Sequence, residues 1–174
     1  MRTFLMLCLV ALITGSSYAQ KGTANYLDEK RGFKCFVLGE HISKYSDRVE
    51  KIKGSDNNSY AVTDTTLLSI GEELPLKHII IKTYNDSIYS ISILALPKYS
   101  FKLRNVLITA YGAWSFQPNK YIEKYHWVST NKEIDLYFDS ESNKWCYATF
   151  KDLTLDLKRG KKEYQKTQEA TNDL

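Results

Sequence analysis

The sequence predicts an α+β domain of two layers, an antiparallel sheet with two helices packed on one face. Three observations carry that expectation. Lys77–Tyr84 and Ser87–Leu96 form two alternating runs around Asn85-Asp86, a dipeptide suited to the left-handed backbone of a tight hairpin turn. Two stretches, at about 41–53 and 100–111, space their apolar residues as helices do. Three further alternating runs close the chain, so a helix followed by a three-strand meander occurs twice, at about 41–96 and 100–150. The two halves share a pattern of elements without a residue-level repeat.

Taken in order, the chain opens with Arg2, an apolar run from Phe4 to Ile13, and Gly15-Ser16-Ser17-Tyr18-Ala19 before Gln20. This reads as a secretory signal peptide over residues 1–19, which places the mature chain in a secreted or periplasmic setting. The apolar run is half the roughly twenty residues a membrane-spanning helix needs. No later run matches its length, so no transmembrane segment is expected. Cys8 follows Leu5-Met6-Leu7, which lacks the small residue that lipid attachment wants directly before the cysteine. What remains of the 174 residues is one ordinary domain, assigned here to 20–157, with a polar tail at 158–174.

Residues 20–30 are polar and read as loosely held. Phe33, Cys35 and Val37 then alternate with Lys34, Phe36 and Leu38 between Gly32 and Gly39, as a first strand. Ile42, Tyr45, Val49 and Ile52, with Lys51, Lys53 and Gly54 after them, predict a helix over 41–53. Ser59–Thr63 reads as a short strand. In the hairpin, Ile79 and Ile81 share one face of the first arm, and Tyr89, Ile91, Ile93 and Ala95 share one face of the second. Ser100 is placed to cap a helix with an apolar stripe of Phe101, Arg104, Val106, Leu107, Ala110 and Tyr111, ended by Gly112. The last strands are expected at Tyr121–Val128, Glu133–Asp139 and Lys144–Phe150. In these, Ile134, Leu136, Phe138, Cys146, Ala148 and Phe150 face inward, and Glu133, Asp135, Tyr137, Asp139, Trp145, Tyr147 and Thr149 face outward. The lysine-rich tail is either an exposed helix or disordered.

Tyr26-Leu27-Asp28-Glu29-Lys30-Arg31-Gly32-Phe33-Lys34, followed by Phe36-Val37-Leu38-Gly39, resembles the mature N-terminus of a group of small exported proteins of Bacteroidota. Tyr111-Gly112, Trp127 at the head of a meander and the closing Asn172-Asp173-Leu174 are similar to the same group. In layout the chain also resembles the helix-plus-sheet modules of the β-lactamase inhibitor protein and of the SmpA-type outer-membrane assembly lipoprotein. Those modules bind other proteins, so the resemblance implies a binding role, on topology alone.

The net charge of +4 falls to +3 when Arg2, the only charged side chain of the first nineteen, is set aside. So mild an excess, with acids and bases interspersed, argues against a nucleic-acid partner. Cys35 and Cys146 lie in strand-like segments, and an oxidising compartment would let them form a disulfide, with two buried free thiols as the alternative. His41, His78 and His126 are far apart, no Gly-x-Ser-x-Gly occurs, and no close Cys/His spacing suggests a metal. Neither metal nor cofactor is expected. Gly39-Glu40-His41 at a strand-to-helix junction reads as a turn before it reads as an anion site. Asp139-Ser140-Glu141-Ser142-Asn143 begins like a calcium loop but has Lys144 where glycine is required.

Thirteen tyrosines and three tryptophans are the more unusual feature. Exposed rings bring contact area with a polar handle, which suits protein interfaces and sugar platforms, whereas buried rings would simply pack a sheet. The candidate binding residues are Trp145, Tyr147, Tyr137, Trp127 and Trp114. The functional expectation is therefore an exported, non-catalytic binding or accessory protein that recognises an envelope protein or glycan through an aromatic sheet face. The alternative is a small secreted hydrolase whose site converges from separated histidines and acids. Oligomeric state is not written in these residues.

Overall fold

In the computed structural model, which describes residues 23–54 and 58–172, seven strands form one antiparallel sheet. The signal-peptide reading lies outside the described residues. In chain order the elements are α1 (Ala24–Lys30), β1 (Gly32–Phe33), β2 (Phe36–Val37), β3 (Val49–Lys51), β4 (Ser59–Val62), β5 (Ser69–Ile70), β6 (Leu74–Pro75), β7 (His78–Tyr84), β8 (Ser87–Ala95), α2 (Ser100–Tyr111), β9 (Lys124–Val128), β10 (Ile134–Asp139), β11 (Cys146–Asp152) and α3 (Leu153–Asn172). The sheet runs β3-β4-β7-β8-β11-β10-β9, and β1-β2 and β5-β6 are separate two-stranded ribbons. Among the described residues, no helix is long and apolar enough to cross a membrane.

The α+β expectation is met. The strand order is what two meanders make when each ends at the centre, with β8 beside β11. Asn85 and Asp86 both adopt positive φ, 47° and 59°, and close the β7–β8 hairpin as their residue types predict. Ile79, Ile81, Ile91, Ile93, Ala148 and Phe150 are wholly buried on the inner face, against Leu27 of α1 and Leu103 and Leu107 of α2.

Several expectations are corrected. The predicted helix over 41–53 is a single 3-10 turn, Ile42–Tyr45, followed by the edge strand β3. Ile42 and Tyr45 do face the core, but β-branched Val49 pairs opposite Val62 of β4, and that ladder outweighs the helical spacing. The segment expected to be loose holds α1 at 24–30, because Leu27 enters the core and Arg31, at φ 48°, closes the helix by donating its N–H to Leu27 O at 3.0 Å. The single strand expected at 33–38 is the tight β1–β2 ribbon. Its Gly32 permits a close approach, since an added Cβ would sit 2.2 Å from Phe36 O.

The buried stripe of α2 is Leu103, Leu107 and Tyr111, and Phe101 faces solvent. Cys35 and Cys146 are separate free thiols. Cys146 is buried at the start of β11 with its Sγ 3.4 Å from Leu96 O, while Cys35 sits in the β1–β2 turn with Arg48 Nη1 3.5 Å from its sulfur. Of the two alternatives for this pair, the structure has the free thiols, with Cys146 buried and Cys35 half-buried.

The helices do not all lie on one side. Asp152 ends β11 and accepts from Leu155 N at 2.9 Å, capping α3 with no intervening loop. Asp156 and Arg159 of this helix then border the outer face of the sheet. Thus the 157/158 domain boundary falls inside α3, whose exposed second half is the predicted tail.

Candidate functional site

Alternation along four or five paired strands lays the outward residues in three rows. The first runs Lys82, Ser90, Lys151, Asp135 across β7, β8, β11 and β10. The second runs Ile80, Ser92, Thr149, Tyr137, His126 and reaches β9. A third, one step further along, runs His78, Leu94, Tyr147, Asp139, Lys124. The first two rows floor a groove of about 460 Å³, bordered by Asp156 and Arg159 of α3 on one side and by Pro118 on the other.

Each wall has a local cause. The β7–β8 ladder breaks its register between Lys82 and Thr83, so Thr83 faces Ile88, Lys82 faces Ser90, and Tyr89 is the extra residue. That bulge turns Tyr89 out of the inner face predicted for it and under Arg159, whose guanidinium carbon lies 5.2 Å from the ring centre. Arg159 also donates to Asp156 at 2.9 Å and to Glu163 at 2.6 Å. The Asp156 bond holds the guanidinium proton more firmly than usual. Burial pushes Asp156 up, but Arg159 and Lys151 outweigh it and keep its carboxyl below the ordinary range.

On the other side, residues 115 and 116 pair with the edge of β9, through His126 N to Phe116 O at 3.0 Å and Ser115 N to His126 O at 2.7 Å. The segment covers an otherwise open strand edge. It also lays Phe116 flat on the His126 ring, 4.3 Å between centres and 8° between planes.

Within the floor, Ser92 Oγ and Thr149 Oγ1 share a hydrogen bond of 2.9 Å. His126 Nδ1 lies 2.9 Å from Asp135 Oδ1 and 3.1 Å from Oδ2, and its ring is 4.7 Å from that of Tyr137. Tyr137 and Tyr147 turn their hydroxyls away from solvent and donate to Asp139 Oδ2 at 2.6 and 3.1 Å. Lys124 Nζ joins them at 2.9 Å, and Glu141 N donates to Oδ1 at 2.8 Å. Burial alone would raise the Asp139 carboxyl, yet these donors hold it below its ordinary value although the residue is only 4% exposed. Burial, and then the bond to Asp139, pushes the Tyr137 hydroxyl upward, so it stays protonated and its ring is what the groove meets.

Of the five candidate aromatic residues, the structure puts Tyr137 in the groove and Tyr147 beside it on the same face. Trp145 sits further along, edge-on to His78 at 5.6 Å. Trp127 belongs to the core: it is 1% exposed, and its Nε1 donates to Gly112 O at 2.8 Å, tying β9 to the end of α2. Trp114 packs on the inward ring of Tyr125 at 4.5 Å, on the other side of β9 from Phe116's partner His126. The groove residues Lys82, Tyr89, Ser90, Ser92, Pro118 and Arg159 were not foreseen as a site. Alternation alone could have found Lys82, Ser90 and Ser92. Tyr89 needed the bulge, and Arg159 needed the fold of α3.

His126, noted in the sequence only as far from the other two histidines, lies on the edge strand β9 and is partnered with an acid inside the groove. Among the described residues, no serine, threonine or cysteine side chain hydrogen-bonds its imidazole, and no group of three or more His, Cys, Asp or Glu side chains is placed to hold a metal ion.

Together these features define an α+β protein with a polar, partly aromatic groove on the outer side of an antiparallel sheet. No family model, no curated protein and no solved structure matches the chain.

Proposed function

We propose that the chain is an exported, non-catalytic accessory protein that binds an envelope glycan in the outer-face groove. The observation that carries this reading is the groove's floor, in which the hydroxyls of Ser92 and Thr149 lie in register with the ring of Tyr137 and the His126 imidazole, and that of Ser90 lies in the adjoining row. Sugars present hydroxyls around an apolar ring face, and such a surface answers both, with a hydroxyl row for hydrogen bonds and a ring for stacking. A protein interface would more often present an apolar centre at the core of a larger, flatter patch. The concavity favours a chain of sugar units over that alternative.

The test is calorimetric titration of the purified protein with envelope oligosaccharides, repeated with Tyr137→Ala and Thr149→Val. Binding by the parent, weakened at least about tenfold by Tyr137→Ala, is the expected result. A protein that takes up no saccharide, or variants that bind as the parent does, would end the glycan reading.

One observation favours a second reading, a small hydrolase: the His126–Asp135 pair at 2.9 Å could orient an imidazole as a general base. The hydroxyls nearest in register, Ser92 and Thr149, bond each other and leave that base without a nucleophile, so any hydrolysis would need to proceed through water. Turnover of chromogenic glycosides or esters that disappears with His126→Gln would establish it over the binding reading.

A further inference from the structure

Resting on the glycan reading, we infer that the groove selects an acidic saccharide, one carrying a carboxylate such as a uronate, and that Lys82 is the cation that recognises it. Lys82 is half-buried on the interior strand β7, lines the groove, and has no ion-pair or side-chain hydrogen-bond partner among the described residues. A cation that lines a groove and has no carboxylate of its own is placed to attract a ligand carboxylate there. Its neighbours across the ladder are suited to the same task. Ser90, directly opposite, brings a hydroxyl, and Lys151, opposite Ser90, brings a second cation.

The charge balance at this end points the same way. Lys151 and Arg159 share Asp156, at 3.4 and 2.9 Å, and Arg159 also holds Glu163 at 2.6 Å, so two cations are matched by two carboxylates and Lys82 is the cation left over beside a neutral cluster. Beyond Arg159 a second hollow of about 200 Å³ continues along α3, lined by Tyr84 together with Lys162 and Lys166, while its one acid, Glu163, is tied to Arg159. The other end of the groove is different: there Asp135 has both oxygens turned to His126 and no lysine or arginine bonded to it. A ligand is therefore oriented, with its carboxylate toward Lys82 and its neutral rings along Thr149, Tyr137 and His126.

The experiment titrates the full chain with a uronate trisaccharide and with a neutral trisaccharide of matched linkage, at low and at high salt, for the parent, Lys82→Gln and Lys82→Arg. The expected result is a preference of about tenfold or more for the uronate at low salt that shrinks as salt is added. Lys82→Gln should weaken uronate binding about tenfold and so remove the preference, with a smaller loss for the neutral sugar, and Lys82→Arg should keep most of the preference. Equal affinity for the two sugars, or an intact preference in folded Lys82→Gln, would overturn the acidic-sugar inference and leave the groove as a neutral-glycan site. Failure of both trisaccharides to bind would remove the glycan reading itself, and the inference with it.

Discussion

The inner and outer faces of the sheet are built from the same strands, one residue apart, yet they are held by different forces. Inside, Ile79, Ile91, Leu136, Phe138 and Phe150 are wholly buried and ask only for volume to be filled. Outside, Ser92–Thr149, His126–Asp135 and Tyr137–Asp139–Tyr147 are polar groups, half-buried apart from the buried Asp139, that have found partners within and across strands. The contrast teaches where information sits: the inner face secures that there is a sheet, and the outer face fixes which ligand the sheet can present itself to. Apolar packing tolerates substitutions of similar volume, whereas a satisfied polar network tolerates almost none without leaving a group unpaired.

The sharpest way to break the comparison is on the inner side. Phe150 lies at the middle of the core, its ring 5.9 Å from Tyr111 of α2 and 6.0 Å from Phe33 of the β1–β2 ribbon. Phe150→Ala should therefore lower stability by about 3–5 kcal/mol, a lost ring plus a cavity that three separate elements cannot close. Urea unfolding measures it. A loss below about 1 kcal/mol would mean the two layers are less firmly joined than the burial implies.

Asp139 gives the next largest effect, from the outer side. Asp139→Asn removes the charge that Lys124 faces and weakens the bonds from Tyr137 and Tyr147, and should cost about 1–3 kcal/mol. The same residue predicts a pH dependence. Its folded carboxyl is held below the ordinary value, so its contribution is complete above the unfolded pKa, near about 4, and fades as pH falls through the lower folded value. Unfolding curves taken down to acid pH should show the parent losing stability faster than Asp139→Asn. Parallel pH profiles would show that the tyrosines, rather than the charge, do the holding.

The same division explains what the sequence let one read. The hairpin at Asn85-Asp86 and the inward sets of β10 and β11 were legible because strict alternation and turn chemistry are local. The helix over 41–53 was misread because a spacing of three serves a 3-10 turn as well as a helix, and the three-residue strand β3 is too short to show alternation until it pairs with β4. α1 carried too little apolar signal, with Leu27 the one wholly buried residue among its described side chains. As for the groove, Tyr137 was named from its place in the alternation. Arg159 could not be, since it enters the site only because a 20-residue helix begins directly at the end of β11 and turns back along the outer face. Trp127 was credited to the surface because ring type alone does not say which side of a strand is wet.

A smaller effect sharpens the outer face alone. Thr149→Val keeps the shape of the side chain and removes the hydroxyl that meets Ser92, at a cost of about 0.5–1.5 kcal/mol by thermal or urea unfolding. If Ser92 turns instead to groove water, the loss will fall at the low end of that range, and the hydroxyl row is then wet in the free protein.

The smallest effect is expected where neither face reaches. Tyr164 lies on the exposed half of α3, 64% accessible, with its hydroxyl accepting from Gln168 one turn away and from no other described residue. Tyr164→Ala should change stability by less than about 0.5 kcal/mol and leave saccharide binding untouched, since no part of the residue lines either hollow. Its value lies in the contrast with Arg159 a little over one turn earlier, which carries bonds to Asp156 and Glu163 and the contact with Tyr89. If Tyr164→Ala weakens binding as Tyr137→Ala does, the ligand must extend along α3 well past the groove, and the helix would be part of the recognition surface over its whole length.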